Sequence, residues 1–257
     1  MMMNTTLAQL RELKLVGMAT AVEEQLSSNA CTALSFEERL ALMVDREVHQ
    51  RADKRHVALL KRARLKYPQA CIEDVDGRAG RGFERGAMMS LALSRWVEDG
   101  SAILVTGATG SGKSWLACAL AAYACRRGQS ALYLRTPRLA EELRILHGNG
   151  GFTRWLAAVA RTDVLLLDDW ALAAMDAATR ADLMEIIDDR AGTRATIVTS
   201  QLPVEHWHAW IGDATIADAI LDRLLSRSHR LALKGKSLRV QRPSAANGPG
   251  DTTDAAH

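Results

Sequence analysis

The chain has 257 residues, of which 48% are hydrophobic and 25% charged, and its formal net charge is +3. These are the proportions of an ordinary soluble globular chain, with material for one large domain or two modest ones. They exclude a helical membrane protein, since no window approaches the roughly 18 uncharged apolar residues of a spanning helix.

Residues 1–6 lack the basic region and apolar run of a secretion signal. None of Cys31, Cys71, Cys118 and Cys125 forms a C-x-x-C pair. A reducing cytoplasm is the expected compartment. Cys118 and Cys125 read as small buried hydrophobes, and no cysteine metal site is expected.

Residues 1–68 form an expected helical region. Leu7, Leu10, Leu13 and Met18 mark a short amphipathic helix. Ser35 and Glu38 form a capping box that opens a longer helix. That helix carries Leu40, Leu42, Met43 and Val44 on its apolar side and continues to about Lys66, before Pro68 stops it. Arg51, Arg55, Arg62 and Lys66 fall at helical spacing on one face, with Lys54 beside them. This stripe is the candidate DNA-binding face, since it can track a phosphate backbone. No base-reading motif accompanies it, so duplex DNA binding is expected to be largely sequence-independent. A plain solvated face is the competing reading. Residues 69–100 read as a connector, in which Arg78, Arg81 and Arg85 extend the basic patch.

From 101 to 242 short apolar runs at 102–105, 131–134, 164–167 and 196–199 alternate with helical stretches. That alternation predicts an α/β fold with a parallel sheet covered on both faces. Residues 243–257 are Ser, Ala, Asn, Gly, Pro, Asp, Thr and His, the composition of a disordered tail.

The strongest signal is Gly107, Ala108, Thr109, Gly110, Ser111, Gly112, Lys113 and Ser114, a G-x-x-x-x-G-K-[ST] loop between an apolar run and a helix. Backbone amides in such a loop turn toward phosphate oxygens, helped by the positive end of the following helix. Lys113 is placed for the β- and γ-phosphates of ATP and Ser114 for magnesium; Trp115 completes the expected nucleotide contacts. The second signal is Asp163-Val-Leu-Leu-Leu-Asp168-Asp169. Acids at a buried strand end need a partner, and magnesium supplies one to Asp168. Asp169 then has the general-base position. Gln201, Thr199 or Ser200, at the end of the 196–199 run, can orient the lytic water. Arg223 is either a finger for a neighbouring subunit's γ-phosphate or a surface partner of Asp218 or Asp222. His206 and His208 flank Trp207 near Trp210, a spacing poor for zinc that favours packing. Residues 84–98 are the expected source of the adenine pocket.

The stretches L-S-F-E-E-R-L, A-C-I-E-D-V-D, L-L-L-D-D-W, V-T-S-Q-L-P-V-E-H-W-H and I-A-D-A-I-L-D-R-L resemble the IstB family. Its members are the ATP-binding transposition helpers of bacterial insertion sequences, similar to the DnaC helicase loader and grouped with the AAA+ ATPases. The resemblance covers roughly 5–240. It implies an AAA+ core with a small helical N-terminal domain and a reduced or absent lid. It also implies a homo-oligomer with ATP sites at subunit interfaces, duplex DNA and a partner transposase of the same element. By position, Lys113 and Ser114 match the Walker A pair and Asp168 and Asp169 the Walker B pair. Gln201 stands where AAA+ proteins usually place a sensor asparagine. Arg223 matches the finger arginine, and Arg239 a second sensor. Ala171 stands where the family often has glycine, a departure expected to leave the chemistry unchanged. A replicative helicase loader is the alternative function.

Overall fold

The computed structural model describes residues 2–28, 31, 33–75 and 85–234. Arg78, Arg81, Arg239, the side chain of Arg85 and the expected tail at 243–257 lie outside the described residues.

Three helices open the chain: α1 (Met2–Glu12), α2 (Val16–Ser27) and α3 (Phe36–Ala63). The periodic leucines do not separate α1 from α2; the break comes at Lys14, whose φ is 60°. The capping box at the start of α3 forms, with the Ser35 hydroxyl accepting from the Glu38 amide and the Glu38 carboxylate accepting from the Ser35 amide. α2 is capped from outside. The Glu47 carboxylate reaches across from α3 and accepts the Gly17 and Met18 amides at 2.7 and 3.2 Å, where the helix has unmet donors and a positive dipole end. The Arg51 guanidinium beside it holds the Glu47 carboxyl below its usual range.

Two expectations for α3 are corrected. The helix ends at Ala63, because Arg64 adopts a left-handed conformation (φ 52°). That turn buries Leu65 in the core, at 7% exposure, and takes Lys66 off the helical stripe. The apolar side is not buried within the chain either, for Leu40, Leu42 and Val44 remain 40%, 49% and 46% exposed.

The rest of the chain is an α/β sandwich of α4 (Arg85–Leu93), β1 (Ala102–Gly107), α5 (Lys113–Arg126), β2 (Ala131–Arg135), α6 (Thr136–Gly148), α7 (Phe152–Arg161), β3 (Val164–Trp170), α8 (Ala177–Asp188), β4 (Ala195–Ser200), α9 (Trp207–Ile211), α10 (Ala214–Leu225) and β5 (Ser228–Leu233). The strand order is β2-β3-β4-β1-β5, every pair parallel. β4 therefore lies between β1 and β3, which brings all three carboxyl ends together, the usual ligand edge of such sheets. β5 is an edge strand without a continuous apolar run, and its residues are half-buried or exposed until Leu233.

Side chains alternate across the sheet with the period of two that strands impose. Ile103, Val105, Val164, Leu166 and Ile197 face a core built with α5, α4 and residues 63–75. Ala102, Leu104, Leu165, Leu167 and Val198 face a second core built with α6 to α10. The same alternation puts Asp168 on the α5 side. Trp170 and Trp207 belong to the second core and pack in a tilted pair 5.5 Å apart between centroids. Trp207 is thus packing, and His208 faces Asp218 at 3.2 Å. Among the described residues no helix is long and apolar enough to cross a membrane.

The docking of α2 on α3 depends on residue 17 being small. A Cβ there would sit 2.7 Å from Glu47 Cα and 2.8 Å from the Arg46 carbonyl oxygen. Gly17→Val is expected to separate the two helices. Hydrogen exchange should then show α2 amides losing protection while β1 and β3 keep theirs.

Candidate nucleotide-binding site

The loop joining β1 to α5 bends where only glycine fits. Gly107 has φ 149°, and a Cβ on it would lie 2.4 Å from the Leu233 carbonyl oxygen of β5. Lys113, the first residue of α5, is buried at 7% exposure, and its Nζ donates to the carbonyls of Gly107 and Ala108 at 2.8 and 2.9 Å. Ser111 Oγ is buried inside the loop with no hydrogen-bond partner among the described residues. A buried orphan hydroxyl calls for a ligand, and phosphate oxygens answer it.

Asp168 lies directly beneath. It is fully buried and gathers donors from three elements. Ser114 Oγ and Thr199 Oγ1 donate to Oδ1 at 2.7 and 2.5 Å, and the Tyr133 hydroxyl donates to Oδ2 at 2.7 Å. Lys66 Nζ stands 3.8 Å from Oδ2. Burial and the bond to Asp168 raise the Tyr133 hydroxyl pKa well above its ordinary value, so Tyr133 remains a donor. A serine hydroxyl beside an aspartate carboxylate is a hard-oxygen donor set that suits magnesium, which takes one or two protein ligands and fills the rest of its octahedron with water and phosphate. Among the described residues no three His, Cys, Asp or Glu side chains converge as a metal cage, and an ion delivered with the nucleotide needs none.

Asp169 turns the opposite way. The backbone is left-handed there (φ 60°), its amide donates to Thr199 Oγ1 at 3.2 Å, and its carboxylate accepts from Arg135 Nε at 2.8 Å. Thr199 thus bonds to the side chain of one acid and the backbone of the next. Ala171 is also left-handed, with φ 64°. This explains the glycine that the resembling family often places there, since only glycine adopts that conformation without steric cost. Gln201 Oε1 accepts from Thr109 Oγ1 at 2.6 Å, which ties β4 to the loop. Ser200 instead donates to the Trp170 carbonyl and carries no site chemistry.

These groups border a cavity of about 610 Å³ whose walls include Thr109, Gly110, Gly112, Lys113, Ser114, Trp115, Asp169 and Gln201. Four walls were not expected there: Lys66, Tyr67, Arg135 and Leu172. The described part of 84–98 supplies none of its lining. Tyr133 and Arg135 had a faint signal, as polar side chains on an apolar strand ending level with the acid pair: Arg135 is in register with Asp168. Lys66 had none, because it seemed to continue a helix.

The remaining candidates lie elsewhere. Arg223, on α10, donates to Asp188 on α8 and to the Ala219 carbonyl, so within one chain it stays off the cavity. Its acidic partner is Asp188, not Asp218 or Asp222. Arg51, Lys54, Arg55 and Arg62 are exposed on α3. Arg51 bonds to Glu47 at 2.6 Å and Arg55 to the Gly128 carbonyl at 2.8 Å.

A family model described as IstB-like ATP binding protein matches residues 8–246. The protein described as the ATP-binding protein of insertion sequence IS1162 from Pseudomonas fluorescens is 55% identical over 203 residues, which are 79% of this chain and 88% of that protein. An insertion-sequence ATP-binding protein of Sinorhizobium fredii is 44% identical, over 93% of this chain and 97% of its own length. Among solved structures, the DnaC helicase loader superposes with a TM-score of 0.56 at 21% identity, covering 66% of this chain and 99% of that one. The replication initiator DnaA bound to AMPPCP and single-stranded DNA gives 0.55 at 18%, over 66% and 51%. At such identities the structures show the fold, an AAA+ P-loop core.

Thr199→Val keeps the shape but leaves Asp168 and the Asp169 amide each short of a partner in a buried place. The expected loss is about 1–3 kcal/mol, read from the urea midpoint of unfolding.

Proposed function

The chain belongs to the IstB-like ATP-binding proteins, and from that premise we propose that it is a DNA-assembling ATPase that serves the transposase of its insertion sequence. The observation that carries the proposal is the Ser114–Asp168 pair, 2.7 Å apart beneath a phosphate loop. Lys113 leaves the loop carbonyls for the β- and γ-phosphates, and the loop amides take their oxygens. Ser114 and Asp168 would hold magnesium, which when bound would neutralise charge on the phosphates. Asp169 accepts the proton of the lytic water once Arg135 releases its carboxylate, and Gln201 orients that water from β4.

In this proposal ATP also joins subunits. Arg223 sits on the surface of α10, where exchanging Asp188 for a neighbour's γ-phosphate needs only a side-chain rotation; such a finger is worth about 10³–10⁵ in rate. The exposed arginines of α3 contact duplex DNA through its phosphates. Nucleotide-bound subunits assemble on DNA and engage the transposase, and hydrolysis dissolves the assembly. The alternative, a helicase loader, rests on the DnaC likeness of the core fold, whereas the 55% and 44% identical relatives are named for insertion sequences.

Lys113→Ala should abolish ATP binding and ATP-dependent assembly on duplex DNA, checked by electron microscopy with ATP and with ADP. Normal assembly of that variant would sink the nucleotide switch. Asp169→Asn should bind ATP and turn it over about 10²–10⁴-fold more slowly, measured by phosphate release. Reversing Arg51, Arg55 and Arg62 to Glu should weaken duplex binding and flatten its dependence on salt. An unchanged salt slope returns that face to plain solvation.

A further inference from the structure

Lys66 is a cavity cation that the phosphate-loop chemistry leaves unassigned. Its ammonium is 3.8 Å from Asp168 Oδ2, with its side chain 34% exposed and that of Asp168 0%. The ammonium therefore bridges the open cavity and the buried acid. Asp168 Oδ1 is already engaged by Ser114 and Thr199, so Lys66 shares Oδ2 with Tyr133.

The backbone that carries Lys66 is fixed. Leu65 and Ala70 are buried at 7% and 4%, in the same core cluster as Cys118. Cys118 lies on α5, one turn beyond Ser114. The segment thus rides on the phosphate-loop helix, while the ammonium sits at the end of a flexible four-carbon stem. A metal ion on Ser114 and Asp168 would place two positive charges beside Lys66, and like charges at that range repel strongly. Lys66 must then leave Asp168. The same cavity presents the replacement partner, for Lys66, Lys113 and Ser114 all line it. In a phosphate loop the serine hydroxyl marks the metal and the lysine the β- and γ-phosphates, so the cavity that Lys66 lines is the one that would receive the terminal phosphate.

We propose that Lys66 contacts the terminal phosphate and distinguishes ATP from ADP: its ammonium exchanges the Asp168 carboxylate for the γ-phosphate when magnesium nucleotide binds. This rests on the reading of the cavity as a magnesium–ATP site. The exchange happens two residues beyond Arg64, the left-handed end of α3, so the nucleotide state is felt at the base of the N-terminal helices.

The test uses the full chain and equilibrium binding of a fluorescent non-hydrolysable ATP analogue and of the matching ADP analogue, both with magnesium. Lys66→Ala should weaken the ATP analogue about tenfold, the effect of one charge-assisted hydrogen bond, and change the ADP analogue by less than about twofold. Lys66→Arg should restore most of the difference. In hydrogen exchange, the ATP analogue should protect amides 59–70 in the parent chain more than the ADP analogue does, and Lys66→Ala should remove that difference. Equal weakening of both analogues, or of neither, overturns the assignment. Lys113→Ala serves as the control. If it binds both analogues like the parent chain, the cavity reading itself fails; if it loses both while Lys66→Ala discriminates nothing, only the role of Lys66 fails.

Discussion

A carboxylate with no exposed surface has to be surrounded by donors, and Asp168 sets that condition for the centre of the molecule. Its partners come from α5, β2, β4 and the segment after α3. The partner residues themselves, Lys66, Ser114, Tyr133 and Thr199, lie far apart in sequence. They meet because β3 lies between β2 and β4, and because the period of two turns Asp168 toward α5. The phosphate loop needs β1 beside β4 for a related reason: Gln201 at the end of β4 bonds to Thr109 in the loop.

The backbone beyond Asp168 shows how the two acids acquire separate roles. Left-handed residues at Asp169 and Ala171, with a break in register between Leu167 and Trp170, interrupt the strand. The break swings Asp169 away from the hydroxyl cluster to Arg135, and it carries Trp170 into the opposite core against Trp207 and Trp210. One acid is buried beneath the phosphate loop among hydroxyl donors. The other sits at the cavity wall, paired to a cation that can let it go. Alanine in a left-handed turn is a strained choice, held here by packing against the second core.

The N-terminal helices are joined to this arrangement by contact as well as by sequence. Arg55 reaches the Gly128 carbonyl at the end of α5, and residues 63–75 share a core with that helix. α3 also keeps an apolar stripe in solvent, with Leu40, Val44 and Val48 at helical spacing and 40%, 46% and 58% exposed. An arm fastened to the phosphate-loop helix is placed to register what the loop holds.

Much of this was legible in the residues alone. The glycine loop, the acid pair and the capping box are local motifs whose geometry follows from short-range backbone chemistry, and alternating apolar runs specify a covered parallel sheet. Lys66 was the instructive failure. Its spacing from Arg62 fits a helix, and nothing in the sequence announces that Arg64 turns left-handed to bury Leu65. The Asp188 partner of Arg223 was hidden for a related reason, since a helix residue does not state which neighbour it will face, and Tyr133 and Arg135 showed only as polar side chains on an apolar strand. The sequence by itself determined that a phosphate loop and a buried acid at a strand end exist in an α/β core. Only the tertiary structure decided which hydroxyls and cations surround that acid, because strand order and a single backbone turn bring together residues that no local pattern connects.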